Sequence, residues 1–138
     1  MSFHLWLVCL DRGEVTSFPR AMVEDACAPF IESRGENSWK LSDCLADLWI
    51  NSAAEIGGFS VTRPPGDKKH PFWQALLSIM HQTQTVLHWP TGGPLPHAVV
   101  ADESVIAHMP ADMLRIVGRP NIVRKPEEFW QRIGESGA

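Results

Sequence analysis

The segment from Phe3 to Leu10 constrains the fold more than any other part of the chain. It is a near-continuous apolar run that stops at the turn signal Asp11-Arg12-Gly13. A run of this length reads as a buried strand. A buried strand obliges the rest of the chain to supply a sheet and covering layers. Phe18, Met22, Ala26 and Phe30 recur at i, i+4, joined by Val23 and Cys27, with Glu24, Asp25 and Glu32 on the opposite side. That pattern predicts an amphipathic helix with an acidic outer face, capped by Ser17, with Pro19 in its first turn and Pro29 ending or kinking it.

The segment Ser33 to Ser38 is polar and reads as a loop. Short strands are predicted near Trp39–Leu41, Leu45–Ile50 and Phe59–Arg63, the last two paired antiparallel across the turn region Asn51 to Gly58. Pro71 suits a first helical position, and Phe72, Trp73, Leu76, Leu77, Ile79 and Met80 form a broad apolar stripe behind it. Thr83–Trp89 and His97–Ala101 flank Pro90-Thr91-Gly92-Gly93-Pro94 as a predicted hairpin. Met109-Pro110 opens a short helix that Gly118 closes. Asn121–Arg124 is a short strand, Pro126-Glu127-Glu128 opens a last helix, and the tail over 134–138 is expected to fray. Hairpins interleaved with helices imply an α+β fold. The expectation is a single domain over 1–138, a mostly antiparallel sheet packed with three to four helices.

Chain length supports that reading, because 138 residues match one domain and bury a core without disulfides or metal. Cys9, Cys27 and Cys44 are odd in number, widely spaced and set among apolar residues, which fits free thiols in a reducing compartment. The start lacks the basic flank and small-residue cleavage site of a signal peptide, and no run approaches a membrane span. A cytoplasmic location is expected.

A search for chemistry finds no catalytic or metal motif. The six histidines (His4, His70, His81, His88, His97, His108) include no i, i+4 pair on one helix, and no Cys-x-x-Cys is present. His70 can cap the helix that follows it, and His88 and His97 flank the hairpin turn, where they could approach each other. There is no Gly-x-Ser-x-Gly elbow. Asp102 and Glu103 are adjacent at the end of a predicted strand, which sends two carboxylates to opposite faces. No cofactor is expected, and binding is the expected role.

Charge points to the kind of partner. Residues 1–60 carry nine acids and four bases, whereas residues 61–138 carry seven acids and eight bases. An acidic first half argues against nucleic acid and suits either a basic protein partner or simply a solvated acidic surface that keeps the chain soluble.

The C-terminal part adds a resemblance. The succession Val86-Leu87-His88-Trp89-Pro90, Ala98-Val99-Val100-Ala101-Asp102, His108-Met109-Pro110, Gly118-Arg119-Pro120 and Glu127-Glu128-Phe129-Trp130-Gln131-Arg132-Ile133 resembles small immunity proteins of bacterial polymorphic-toxin systems. The resemblance covers roughly the last 50 residues and lies in strand ends, helix starts and turns. It implies a single α+β domain that binds a cognate toxin domain, often a nuclease with a basic cleft, and occludes its active site. It implies no catalytic residues. The acids expected to meet the toxin are Glu24, Asp25 and Glu32 on the first helix, then Glu36, Asp43, Asp47 and Glu55. Rival classes are a secretion adaptor or chaperone, marked by a large exposed apolar groove, and an enzyme, marked by perturbed titratable groups in a deep pocket.

Overall fold

The computed structural model describes residues 3–91 and 93–136. Strand β1 (His4–Asp11) runs through the middle of the main sheet. Its alternation decides the layering: Leu5, Leu7 and Cys9 are buried on one face, while His4, Trp6, Val8 and Leu10 share the other. A tight turn returns the chain as β2 (Glu14–Val15), paired with the end of β1. Arg12 and Gly13 hold positive φ angles of 51° and 85° there, and His108 fastens the turn by accepting the Arg12 N–H at Nδ1 over 3.1 Å.

Helix α1 (Arg20–Cys27) is shorter than the periodicity predicts. Phe18–Pro19 is instead strand β3, paired antiparallel with β7 (Glu55–Ile56). A residue before proline is pushed out of the α region, so Phe18 is extended and reaches the core as a strand residue. Ser17 does not cap the helix, whose N-cap residue is Pro19 with no side-chain bond. Pro29 does end it, through a 3-10 turn over Ala28–Phe30. The chain then enters β4 (Ile31–Arg34), so Glu32 lies on a strand and not on α1. The predicted loop Ser33–Ser38 shrinks accordingly to the turn before β5 (Ser38–Leu41), closed by Gly35 N–H donating to Ser38 O at 2.7 Å.

Strands β6 (Asp47–Trp49) and β8 (Gly58–Thr62) pair antiparallel as expected. Helix α2 (Pro71–Gln82) is where Pro71 places it. His70 caps it, accepting the Phe72 N–H at Nδ1 (3.1 Å), while Nε2 sits 2.7 Å from Ser42 O and donates to it. Both imidazole nitrogens are therefore used, and the β5–β6 turn is tied to the helix start. The hairpin of β9 (Thr85–His88) and β10 (Ala98–Val100) follows, although Gly92 in its turn lies outside the described residues. A 3-10 helix (Glu103–His108) occupies the expected strand end, because Asp102 accepts the Ser104 N–H and caps it. Helix α3 (Ala111–Val117) stops at Gly118, whose φ of 78° few other residues tolerate. Strand β11 (Asn121–Ile122) and helix α4 (Glu128–Glu135) complete the chain.

The main sheet has the order β11-β10-β9-β1-β8-β6-β5-β4, with β2 beside β1, and only the β10–β11 pairing is parallel among the described residues. The protein is an α+β domain with a mostly antiparallel sheet. Helices α1, α2 and α4 cover one face in a core that includes Leu7, Trp39, Leu48, Trp73 and Phe129. The 3-10 helix and α3 cover part of the other face, over Leu10, Val86, Ala98 and Val100. The tail does not fray at Gly134: α4 continues to Glu135, and Ser136 is buried with its Oγ accepting from Trp89 Nε1 at 2.8 Å. The last two residues of the predicted tail lie outside the described residues.

Gly58 carries a steric requirement. A Cβ there would lie 1.8 Å from the Leu7 carbonyl oxygen, a main-chain atom that cannot swing aside. Gly58→Ala is expected to cost about 3 kcal/mol, the upper end for overpacking, by forcing β1 and β8 apart. Thermal melting checks this, and an unchanged melting temperature would contradict the packing described.

Candidate open sheet face

The covering of the second sheet face stops short of β8, β6 and β5, and their alternation leaves a distinct set of side chains uncovered. Register aligns them in two cross-strand rows. One row is Ser38, Trp49, Ser60, Trp6 and His88, and the next is Lys40, Asp47, Thr62 and His4. Trp6 is 39% exposed and Trp49 46%, whereas Trp39, Trp73 and Trp89 are buried. Two indoles exposed on one sheet face are the residue type enriched at interface anchors.

Both indoles are held in place. Trp49 Nε1 donates to Thr62 Oγ1 at 3.1 Å. Trp6 has two imidazole neighbours, His4 stacked at 5.4 Å and 12° and His88 at 5.8 Å and 22°. Strand β8 between them contributes only Ser60 and Thr62, so the floor is low and the indoles stand as walls roughly 10 Å apart, two strand spacings. The result is a shallow depression of about 420 Å³ lined by His4, Trp6, Trp49, Ser60 and Thr62.

The acids expected to form the interface do not gather in one patch. Glu24 is neutralised by Arg20 at 3.0 Å and Arg34 at 2.6 Å, and both guanidinium groups also lie 5.1 Å from the Trp39 ring. Asp47 belongs to the open face but is paired with Arg63 at 3.1 Å. Glu32 on β4 and Glu36 in the β4–β5 turn are exposed at the β4 edge of the sheet, and Asp25 is exposed on α1, which covers the other face. Glu55 lies on β7 beside the start of α1, and Asp43, with a φ of 60°, lies in the β5–β6 turn at the far end of β5 from Glu36.

His88 and His97 end on neighbouring strands: Ala98 pairs with His88, and the His97 carbonyl accepts the Trp89 N–H at 3.2 Å. Burial first, and the charge of His97 second, hold the His88 pKa below its ordinary value of 6.5. His97 Nδ1 is itself buried with no hydrogen-bond partner among the described residues. Cys9 and Cys27 face the helix-covered core, where burial raises both thiols, Cys27 to about 12. That is opposite to the shift that makes a reactive thiolate. Among the described residues no three His, Cys, Asp or Glu converge as metal ligands, and no helix is long and apolar enough to cross a membrane. No family model matches the chain, and no curated protein or solved structure matches it.

The rules of residue choice behind the open face were present in the sequence. His4 and Trp6 alternate with Leu5 and Leu7, and Ser60 and Thr62 alternate with Phe59 and Val61. Read as a continuous apolar run, β1 conceals that alternation.

Two outcomes follow. A thiol reagent should label Cys44, which is half-buried, well before Cys9 and Cys27, which react only on unfolding; mass spectrometry of the native protein checks the order. For His88, both folded and unfolded chains are neutral well above pH 6.5. As the pH falls below that value the unfolded chain takes up its proton first, so folding stability declines until the lower folded pKa is passed. His88→Gln should flatten that decline in urea titrations at stepped pH.

Proposed function

We propose that the protein is a non-catalytic inhibitor that binds a cognate toxin domain and occludes it, as an immunity protein does. One observation carries this reading: the sheet face bearing Trp6 and Trp49 is uncovered while its aromatic residues are locked in place by Thr62, His4 and His88. Fixed aromatic anchors set among polar neighbours are the composition of a protein-binding hot spot, because they bury area on binding without ordering cost. The resemblance of the C-terminal part to immunity proteins supplies the toxin as partner.

The acids support a modified version of the sequence reading. Glu24 spends its charge on Arg20 and Arg34, so it is a poor contact for a basic cleft. Asp25, Glu32 and Glu36 are exposed and enter no salt bridge among the described residues. Glu32 and Glu36 lie at the β4 side of the sheet, where they would steer a basic partner towards the open face. The uncovered indoles stand among Ser, Thr, His and Lys, which favours a mixed interface over the apolar groove of a chaperone.

The test is protection. The product of the adjacent gene is expressed with and without this protein, and with two variants: Trp6→Ala/Trp49→Ala, and Asp25→Lys/Glu32→Lys/Glu36→Lys. The double Trp variant should lose protection and about 2 kcal/mol or more of binding, the scale of a hot spot. The charge reversal should slow association and remove its salt dependence while leaving dissociation nearly unchanged. Growth inhibition that this protein never relieves rules the immunity reading out. Protection that survives the Trp variant moves the interface away from the open face.

A further inference from the structure

A second concavity lies where the start of α2 meets the turn that leads into α4, beside the helices that cover the first sheet face. It encloses about 470 Å³ between Lys68–Pro71 and Gln74 on one wall and Pro126–Glu127 on the other. Both walls are held from outside the cavity. On the first, the Asp67 carboxylate accepts the Lys69 N–H at 2.9 Å, and the Asp67 carbonyl accepts the His70 N–H at 3.0 Å. On the second, the Glu128 carboxylate accepts the Arg124 and Lys125 N–H groups, each at 2.9 Å. Trp130 Nε1 donates to the Pro65 carbonyl at 2.8 Å and ties α4 to the loop that carries the first wall. The helix terminus itself offers little to a ligand. Pro71 has no N–H, the Phe72 N–H donates to His70 Nδ1, and the Trp73 N–H donates to the His70 carbonyl. The groups left to act are side chains. Lys68, Lys69, Gln74 and Glu127 are exposed, and their side chains enter no hydrogen bond or salt bridge among the described residues. Arg124 and Lys125, just before Pro126, are exposed and equally unpaired. The nearby carboxylates of Asp67 and Glu128 are engaged with backbone N–H groups instead. In the cleft between the end of α2 and the 3-10 helix, by contrast, Thr83, Gln84 and Asp102 are all spent on internal hydrogen bonds.

We propose that this cavity binds a small sugar phosphate, with the phosphate at Lys68 and Lys69 and the sugar hydroxyls at Glu127 and Gln74. Two adjacent ammonium groups match the charge of a phosphate dianion, which lysine binds as a point charge. The Glu127 carboxylate repels a bare anion but accepts hydrogen bonds from hydroxyls, and the Gln74 carboxamide both donates and accepts. The pair of walls therefore favours a molecule that is anionic at one end and rich in donors at the other. The volume falls in the range of small-molecule sites, about 300–1,000 Å³, and exceeds what a phosphate alone fills. Pro71 and Pro126 add apolar ring surface for the body of the ligand. A formal net charge of −4 gives the protein no broad basic field for a nucleic-acid polymer, so the ligand is a small molecule. The site is separate from the open sheet face and does not rest on the toxin-binding role.

The experiment is an NMR titration of the isotope-labelled full chain with ribose phosphate, inorganic phosphate and ribose, at constant ionic strength. Ribose phosphate should shift the backbone amides around Lys68, Lys69, Gln74 and Glu127 saturably. It should bind roughly tenfold tighter than inorganic phosphate, the scale of one hydrogen bond to a charged group. Ribose alone should shift nothing. Lys68→Ala/Lys69→Ala should abolish binding of both phosphate ligands at an unchanged melting temperature, because both side chains are exposed and unpaired. Glu127→Gln should strengthen the binding of inorganic phosphate and weaken that of ribose phosphate, narrowing the gap between them. The absence of a saturable shift with ribose phosphate in the wild-type protein overturns the proposal, and that result needs no variant to fold. Shifts that persist in the double lysine variant also overturn it. Equal binding of ribose phosphate and inorganic phosphate means an adventitious ion only, and overturns the sugar phosphate as ligand.

Discussion

The pairing of β1 on both sides is the constraint on which the rest of the structure depends. His4 to Val8 align with Thr62 to Gly58 on one side, and Trp6 to Cys9 align with His88 to Thr85 on the other. These contacts join residues far apart in sequence, so the N-terminal strand holds together the middle and the C-terminal halves. Gly58 permits the approach, since only a residue without Cβ fits against the Leu7 carbonyl. Once β1 is fixed, alternation sends Leu5, Leu7 and Cys9 into the helix-covered core and sends His4 and Trp6 the other way.

Unequal covering then separates stability from recognition. Three helices seal one face completely, whereas the 3-10 helix and α3 reach only the β9–β10–β11 side of the other. The uncovered part is no spare core surface. Small hydroxyl residues on β8 keep it low, and each exposed indole has a specific partner that limits its rotation. Contacts of this kind lower the ordering cost of an aromatic anchor on binding.

Much of the fold was legible because it depends on local chemistry. Pro71 with His70 before it, the apolar stripe of α2, Gly118 after α3 and the acids opening α4 act over a few residues and behave as their types dictate. The segments misread are those where distant pairing overrides local pattern. Phe18 fits a helical period with Met22 and Ala26, but pairing with Ile56 keeps it extended. Glu32 falls on the helical period and Ser33-Arg34 on a polar stretch that reads as a loop, but Ile31 to Arg34 becomes an edge strand because Leu41, Lys40 and Trp39 supply its pairing. Among the acids, charge was legible and its use was not: Glu24 meets Arg34 only because β4 is brought under α1, and Asp47 meets Arg63 only because β8 ends beside β6.

The sequence by itself determined the class of structure: where the backbone must turn, which stretches alternate or repeat at helical spacing, and hence an α+β chain with a mostly antiparallel sheet. Those properties follow from sterics and hydrophobic period within a window of a few residues. Only the tertiary structure decided which face of β1 would be left open, which carboxylates would stay unpaired, and that His4 and His88 would both stack against Trp6. Each of these is a relation between strands whose neighbours are chosen by packing across the whole chain, and a relation of that kind has no local period to betray it.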